Sequence, residues 1–235
     1  MGQRKLAVLA FHKIGAPSDP NWPTWNYIPT NVFRRMLGVV DTSPWEPVDA
    51  ARFRQGLDDP DNMPERALLI TFDDGYLSTL TEATPCLQAF GFPAVVFVPT
   101  RYVGGTNSFD NGVEPEERMC GWADLVELAR RGVEVQGHTV SHPHLSSLAS
   151  DQQERELTES RDLLSERLGA VVDLLAYPYG DDDSARLSSD RLARMGYRAA
   201  FLYGGGIAPV PLKDPFRIPR FALGPDSDLA EMLKD

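Results

Sequence analysis

The chain has 235 residues, of which 42% are hydrophobic and 24% charged, and its formal net charge at pH 7 is −11. This length is enough to bury one sizeable core, so we expect a single domain over residues 1–235. The negative charge disfavours binding to nucleic acid or to an anionic membrane face.

The N-terminus carries Arg4 and Lys5, but the apolar stretch at residues 6–11 is too short for the core of a signal peptide. No other segment approaches membrane-spanning length. We therefore expect no membrane span and a cytoplasmic location, or a secreted or periplasmic one if an export signal has been removed. The two cysteines, Cys86 and Cys120, are too few for a disulfide framework.

Short apolar runs alternate with helical patterns along the chain, which favours strand–helix units repeated around a parallel sheet or barrel. The predicted strands are residues 6–11, 67–73, 93–98, 133–137, 174–177 and 198–203, with a candidate seventh at 217–223. The predicted helices are residues 77–90, 122–130, 151–168 and 184–195.

Two stretches fit neither pattern: residues 15–29, rich in proline and tryptophan, and residues 102–117, rich in glycine and acidic residues. Long loops in compact domains tend to shape binding sites or to be mobile. The alternating charges of the helix predicted at 151–168, by contrast, are typical of a solvated face and need no function.

Two adjacent aspartates, Asp73 and Asp74, end the strand predicted at 67–73 and are followed by Gly75. Neighbouring carboxylates repel each other, so a buried strand that ends with two of them indicates a place for a metal ion or a proton.

Three of the four histidines fall within seven residues: His138, His142 and His144. The spacing of His138 and His142 lets both rings face one point, which suits a divalent transition metal. The alternative is that both only make core or capping hydrogen bonds. His144 is expected to lie behind the ligands or on the surface. Because the carboxyl ends of barrel strands share one face, the aspartate pair and the histidine cluster can converge there.

The segments Thr71-Phe72-Asp73-Asp74-Gly75-Tyr76 and His138-Thr139-Val140-Ser141-His142-Pro143 resemble the first two motifs of the polysaccharide deacetylase family, the NodB-like carbohydrate esterases. Residues 6–12 and 214–220 are similar to motifs of its poly-N-acetylglucosamine deacetylase subgroup, and residues 176–180 resemble the third family motif. The resemblance implies an α/β fold with a distorted (β/α)7-type barrel. It also implies a metal-dependent hydrolase that removes N-acetyl groups from N-acetylglucosamine-type carbohydrate.

The resemblance also implies the roles of single residues. Asp74, His138 and His142 would bind a divalent metal ion, zinc most often, with cobalt or nickel as alternatives. Asp73 would be the general base toward a metal-bound water, and the backbone N–H of Tyr179 would stabilise the oxyanion. Leu145 would line the acetyl pocket, although a leucine at such a place is ordinarily a core residue.

The sequence departs from the family pattern in its catalytic acid. The commonest family arrangement takes this acid from a late Leu-x-His motif, but no histidine follows His144 here. In the poly-N-acetylglucosamine subgroup the acid is the histidine that closes the first strand, which corresponds to His12 and titrates near neutral pH. The alternative is that His12 only caps the strand.

A second departure lies in the third motif, where many relatives place an arginine that orients the base and this chain has Ala176. Arg220 is the natural substitute, with Arg217 second, because either could pair with Asp73 and lower its pKa. The alternative is an ion pair elsewhere in the fold.

The aromatic residues Trp22, Trp25 and Tyr27 are expected either to stack against a sugar ring or to form a hydrophobic lid. Two other hypotheses for function remain open. One is the same site acting on an acetyl ester, a cyclic amide or a small acetylated metabolite. The other is a catalytically silent carbohydrate-binding or metal-storage barrel. The sequence gives no indication of oligomeric state.

Overall fold

The structure is a computed structural model that describes residues 3–17, 19, 21–22, 24, 26–180 and 187–234. The strands in chain order are β1 (Arg4–Phe11), β2 (Lys13–Ile14), β3 (Tyr27–Ile28), β4 (Glu46–Pro47), β5 (Arg66–Phe72), β6 (Ala94–Val98), β7 (Val133–Gly137), β8 (Leu174–Ala176), β9 (Ala199–Phe201), β10 (Ala208–Val210) and β11 (Phe221–Ala222). The α-helices are α1 (Thr30–Asp41), α2 (Ala50–Asp58), α3 (Thr84–Phe90), α4 (Trp122–Arg130), α5 (Ser150–Leu168), α6 (Ser189–Arg194) and α7 (Leu229–Met232).

The main sheet has the order β10-β1-β5-β6-β7-β8-β9, and β4 and β11 pair with β5 and β1. The strands from β1 through β9 in this order run parallel, and β10 is antiparallel to β1. Helices between successive parallel strands cover the outer surface, as βα units require. The result is an α/β fold with a distorted, curled barrel, as the sequence predicted.

Both faces of the sheet are buried, and the alternation of side chains along β1 explains how. Leu6 and Val8 belong to a cluster that includes Phe97 and Phe201 of β6 and β9 inside the barrel. The intervening side chains of β1 face the other way and pack with the outer helices. Because successive strand residues point to opposite faces, an uninterrupted apolar run is what a strand buried on both sides needs.

The segment after β10 joins the two ends of the parallel sheet. Ile218 bridges to Phe201 of β9, whereas Phe221 and Ala222 of β11 pair with Leu9 and Ala10 of β1. The strand predicted at 217–223 is therefore shorter than expected and changes partner along its length. Arg220 lies between these two contacts, inside the closure.

The sequence analysis predicted no helix between residues 29 and 66, yet α1 and α2 lie there. Helix α1 buries Phe33, Met36, Leu37 and Val40 at helical spacing. Gly38 in its interior lowers its intrinsic helix propensity, and tertiary packing of the apolar stripe overrides that cost. The predicted helix at 77–90 is divided into a π-helical turn at Thr79–Ala83 and α3.

The other predicted elements match the described ones to within a few residues, apart from positions 184–186, which lie outside the described residues. That the whole chain forms one domain stays a prediction. Among the helices of the described residues, none is long and apolar enough to cross a membrane.

An ion-pair network ties α2 to the amino-terminal ends of two strands. Arg54 Nε donates to Asp173 Oδ1 at 2.7 Å, and its NH2 group donates to Glu134 Oε1 at 2.5 Å. Gln136 joins the same network, because its Nε2 donates to Glu134 Oε1 and its Oε1 accepts from the Asp173 N–H. The network is mostly buried and holds β7 and β8 against α2.

We expect Arg54→Ala to lower the free energy of unfolding by about 2 kcal/mol, because the buried Asp173 carboxylate loses its cation while Glu134 keeps partial access to water. Urea denaturation followed by far-ultraviolet circular dichroism measures this change. The control is Arg155→Ala, which removes an exposed pair with Asp151 and should cost less than about 0.5 kcal/mol. Equal effects of the two variants would contradict the prediction.

Candidate active site

A cleft of about 310 Å³ opens at the carboxyl ends of the parallel strands. Part of its lining comes from residues one or two positions after β1, β5, β7, β8 and β9, which is where active sites gather in βα barrels. The histidine and acidic side chains in its lining are His12, Asp73, Asp74, Asp110, Glu114, His138 and His142.

Asp74, His138 and His142 form a cluster whose potential ligand atoms all lie within 4.8 Å of one another. Asp74 Oδ1 lies 3.4 Å from His138 Nε2 and 3.3 Å from His142 Nε2. The Nδ1–H of His138 donates to the Ala176 carbonyl at 2.7 Å, so Nε2 is the nitrogen that faces the cluster. One carboxylate oxygen and two imidazole nitrogens thus converge on one point.

The local backbone aims the Asp74 side chain into the cleft. The Asp73 N–H donates to the Phe11 carbonyl and extends the β5 ladder by one residue. Asp74 then takes a left-handed conformation with φ of 70°, and Gly75 follows with φ of 74°. A Cβ atom on Gly75 would approach Val98 Cγ2 to 3.0 Å. The glycine therefore serves both the turn and its close packing.

The electrostatics of the cluster favour a cation. Burial alone would raise the pKa of Asp74, but hydrogen-bonding and charge interactions with His138 and His142 hold it well below its usual range. Burial alone would lower the pKa of His138, but Asp74 and Asp73 raise it above its ordinary value. The negative field that draws a proton to this histidine would equally draw a metal ion.

Asp73 makes a two-pronged ion pair with Arg220. The NH1 and NH2 groups of Arg220 donate to Oδ1 and Oδ2 of Asp73, each at 2.7 Å, and both side chains are almost fully buried. Arg220 also donates from Nε to the Leu202 carbonyl and from NH1 to Thr71 Oγ1. Burial alone would raise the pKa of Asp73, but the guanidinium lowers it below the ordinary value.

His12 follows β1 and lines the same cleft as Asp73. Its ring meets the Tyr203 ring edge to face, with centroids 5.3 Å apart. Burial lowers its pKa, and the carboxylates of Asp74 and Asp73 oppose that shift. His12 therefore lies in the cleft at the end of β1, next to the end of β5 where Asp73 and Asp74 follow.

The three residues predicted to contact substrate have different positions. Tyr179 lines the cleft with its side chain 45% exposed and its backbone in a left-handed conformation. Its ring meets His142 edge on and stacks on His144 at 3.9 Å. Leu145 is fully buried and packs in a core cluster with Leu157. Trp25 lies outside the described residues.

The sequence analysis missed several residues on the loop at 102–117. Phe109 lies against the His142 ring at 4.4 Å, and the Asp110 carboxylate lines the cleft. Burial, followed by the charge of Asp74, raises the pKa of Asp110 to about 6. The length and composition of the loop indicated either a binding site or a mobile segment, but they gave no signal for these particular side chains.

Glu114 connects this loop to the other long loop, at 15–29. Its carboxylate accepts hydrogen bonds from Lys13 Nζ at 3.0 Å, Thr24 Oγ1 at 2.7 Å and Asn26 Nδ2 at 3.0 Å. Lys13 is almost fully buried, with its ammonium group over the rings of Tyr27 and Tyr76. The two long loops are thus fastened together at the edge of the cleft.

Comparison with known proteins identifies relatives of this chain. The poly-beta-1,6-N-acetyl-D-glucosamine N-deacetylase of Escherichia coli strain K12 is 26% identical over 234 residues, which cover 86% of this chain and 34% of that protein. YxkH of Bacillus subtilis, whose name describes it as a polysaccharide deacetylase, is 24% identical over 176 residues. These residues cover 75% of this chain and 57% of YxkH. The chain therefore spans about one third to three fifths of these relatives.

The fold is also that of a solved deacetylase structure. The Streptococcus pyogenes deacetylase PplD, solved in complex with acetate, superposes with a TM-score of 0.82 at 20% identity, and the match covers all of both chains. The family model for polysaccharide deacetylases matches residues 61–200, which is more than half of the chain and includes both aspartates and the histidine cluster. The chain therefore belongs to the polysaccharide deacetylase family of carbohydrate-acting hydrolases.

Proposed function

We propose that the protein is a metal-dependent hydrolase that removes N-acetyl groups from N-acetylglucosamine-type carbohydrate. The observation that carries this proposal is the pairing of two differently held carboxylates in one cleft. Asp74 faces two imidazole nitrogens, whereas the adjacent Asp73 is held by Arg220. A ligand and a base side by side are what hydrolysis assisted by a metal ion requires.

The residues of the cluster fit a divalent metal ion. Asp74 Oδ1 is buried, and its contacts with the Nε2 atoms of His138 and His142, at 3.4 and 3.3 Å, are too long and poorly directed to satisfy it as hydrogen bonds within the described residues. Two nitrogen ligands and one carboxylate form a donor set typical of catalytic zinc, and cobalt or nickel accept the same donors. When bound, such an ion supplies Lewis-acid chemistry that polarises a carbonyl and acidifies water.

Asp73 is the general base in this proposal. Its carboxylate accepts the proton that the attacking water loses as the new carbon–oxygen bond forms. Because Arg220 lowers the pKa of Asp73 against the effect of burial, the carboxylate is ionised and ready at neutral pH. The backbone N–H of Tyr179 donates to the carbonyl oxygen as negative charge develops there.

His12 is the general acid. Cleavage of the carbon–nitrogen bond needs a proton on the departing nitrogen, and His12 lines the cleft together with Asp73. The lowered pKa of His12 makes its protonated ring a stronger acid. A histidine on the first strand therefore supplies the donor that the sequence lacks after His144.

The substrate assignment draws on the Escherichia coli relative, whose name specifies a β-1,6-linked N-acetylglucosamine polymer. The half-exposed Tyr179 ring at the edge of the cleft offers a surface on which a sugar ring can stack. That Leu145 lines the acetyl pocket and that Trp25 contacts the sugar both stay predictions.

Metal binding can be tested without any substrate. We expect the wild-type protein, stripped of metal by chelation, to bind one equivalent of zinc, and Asp74→Asn to weaken that affinity more than about 100-fold, beyond the usual loss of an outer contact. Asparagine tolerates the left-handed backbone at this position. Isothermal titration calorimetry measures the affinity. The control Asp110→Asn removes a charge from the same cleft but no ligand of the cluster, so it should weaken zinc affinity far less than Asp74→Asn. Similar affinities for Asp74→Asn and the wild type would contradict the metal site.

The assigned base predicts a separation between metal binding and turnover. Asp73→Asn should release acetate about 10²- to 10⁴-fold more slowly, the usual contribution of a general base, while binding zinc normally. Acetate release is assayed on β-1,6-linked and β-1,4-linked N-acetylglucosamine oligomers, with acetylated xylan testing for esterase activity.

Metal removal should abolish the activity, and zinc or cobalt should restore it. Undiminished turnover after complete metal removal would overturn the proposal, and preference for xylan would reassign the substrate.

The ion pair with Arg220 predicts a shift in pH dependence. Arg220 lowers the pKa of Asp73, so Arg220→Gln should raise it and move the acidic limb of kcat/KM to higher pH, because the base must be ionised. Arg220→Lys keeps the charge but loses the two-pronged geometry, so its acidic limb should lie at a pH between those of the wild type and Arg220→Gln. The measurement is a pH–rate profile at saturating zinc. An acidic limb at the same pH in all three proteins would show that Asp73 is not the titrating base.

A further inference from the structure

The loop that carries the two histidine ligands has an unfavourable backbone. Thr139 and His142 both adopt left-handed conformations, with φ of 67° and 57°. A β-branched residue such as threonine is a true outlier in this region, because its side chain crowds the backbone. Such conformations persist only where surrounding contacts determine them. The loop therefore needs to be held in place.

One carboxylate makes three hydrogen bonds to this loop. Glu156 Oε2 accepts from the backbone N–H groups of Val140 at 2.9 Å and Ser141 at 2.7 Å. Its Oε1 accepts from Ser141 Oγ at 2.6 Å. Successive N–H groups that point to one anion form a concave site typical of anion binding in turns. Here the anion belongs to the protein itself.

Glu156 lies on an element that is fixed to the core. It is in the second turn of α5, and the neighbouring Leu157 and the more distant Ser160 and Leu164 are buried. The exposed residues of the same helix, such as Glu154 and Glu159, point away from the core. Because α5 is packed on the core, the hydrogen bonds of Glu156 fix the loop relative to that helix.

Other contacts to the loop come from elsewhere and leave the Val140 and Ser141 amides to Glu156. The Thr139 and Val140 carbonyls accept from the Thr100 and Arg101 N–H groups. Thr139 Oγ1 accepts from the His142 N–H and shapes the turn internally. The carbonyl side of the loop is thus held from the β6 end, and its N–H side is held from α5.

We propose that Glu156 is a positioning residue for the metal site: its hydrogen bonds hold residues 139–142 in the strained conformation that places His138 and His142 opposite Asp74. The inference rests on the proposed function, because it assumes that these three residues bind a metal ion. Glu156 itself contacts neither the ion nor the substrate.

Glutamine at this position separates hydrogen bonding from charge. Its amide oxygen can accept both backbone N–H groups, and its NH2 group can donate to Ser141 Oγ, so Glu156→Gln keeps the three contacts without the charge. Glu156→Ala removes all three. Ser141→Ala removes one contact without changing the helix, and Glu159→Ala is the matched control on the exposed side of α5.

The test is zinc affinity of the metal-stripped full chain, measured by isothermal titration calorimetry, together with urea denaturation of the same metal-free proteins. We expect Glu156→Ala to weaken zinc binding about 10- to 100-fold, the range for residues that orient ligands, and Ser141→Ala to have a smaller effect. Glu156→Gln should stay within about threefold of the wild type, and Glu159→Ala should match it. A role confined to stability would lower urea resistance without changing zinc affinity.

Two outcomes overturn the inference. One is wild-type zinc affinity in Glu156→Ala, and the other is a Glu156→Gln variant that is as weak as Glu156→Ala, which would show that charge acts rather than position. If Glu156→Ala does not fold, Ser141→Ala and Glu156→Gln decide the question. Zinc binding without acetate release by the wild type would overturn the proposed function and leave the inference standing. Unchanged zinc affinity in an active Glu156→Ala enzyme would overturn the inference and leave the proposed function standing.

Discussion

The ion pair between Asp73 and Arg220 connects the closure of the barrel to the chemistry of its cleft. Arg220 lies on the segment that bridges β9 through Ile218 and pairs with β1 through β11. The same guanidinium holds both oxygens of the Asp73 carboxylate and keeps its pKa low in a buried place. A buried carboxylate without such a partner would be protonated or would destabilise the fold. The barrel is thus joined at the point where Asp73, the proposed base, needs a counter-charge.

The acidic groups of the cleft coexist because each is held differently. Asp73 has an arginine, Asp74 has two histidines, and Glu114 has the buried Lys13. Asp110 instead responds to burial and to Asp74 with a pKa raised to about 6. The cleft therefore concentrates negative charge, of which the charges of Asp73 and Glu114 are balanced by Arg220 and Lys13. Adjacent carboxylates can be given unlike tasks because their partners come from different strands.

Much of the fold and of the candidate site could be predicted from the sequence because the informative residues are close together in it. The aspartate pair ends an apolar run, and the histidines lie within seven residues that follow another strand. Arg220 could be named only as a substitute for the missing arginine at Ala176. Its contact with Asp73 spans 147 positions, and it depends on how the barrel closes.

The residues that the sequence did not predict were missed for one physical reason: tertiary packing, rather than local sequence, decides where they lie. Glu156 belongs to a helix whose alternating charges looked like an ordinary solvated face, and only tertiary packing brings it to the histidine loop. Phe109 and Asp110 lie in a loop whose length and composition left open whether it shapes a binding site or is mobile, and the sequence did not indicate which side chains point inward. Helix α1 was missed because its Gly38 weakens local propensity, while packing of its apolar stripe decides the outcome.

The fastening of the two long loops by Glu114 has a consequence for how such a cleft can change its specificity. Lys13 and Asn26 belong to one side of this fastening and Glu114 to the other, with the buried ammonium group also enclosed by two tyrosine rings. Replacing Glu114 in the loop at 102–117 would leave the buried Lys13 ammonium group without its counterpart, whereas a new sequence at 15–29 would remove only the hydrogen bonds from Thr24 and Asn26. Evolution or engineering of the substrate range would therefore keep Glu114 opposite Lys13, while the rest of both loops can vary without leaving that charge unpaired.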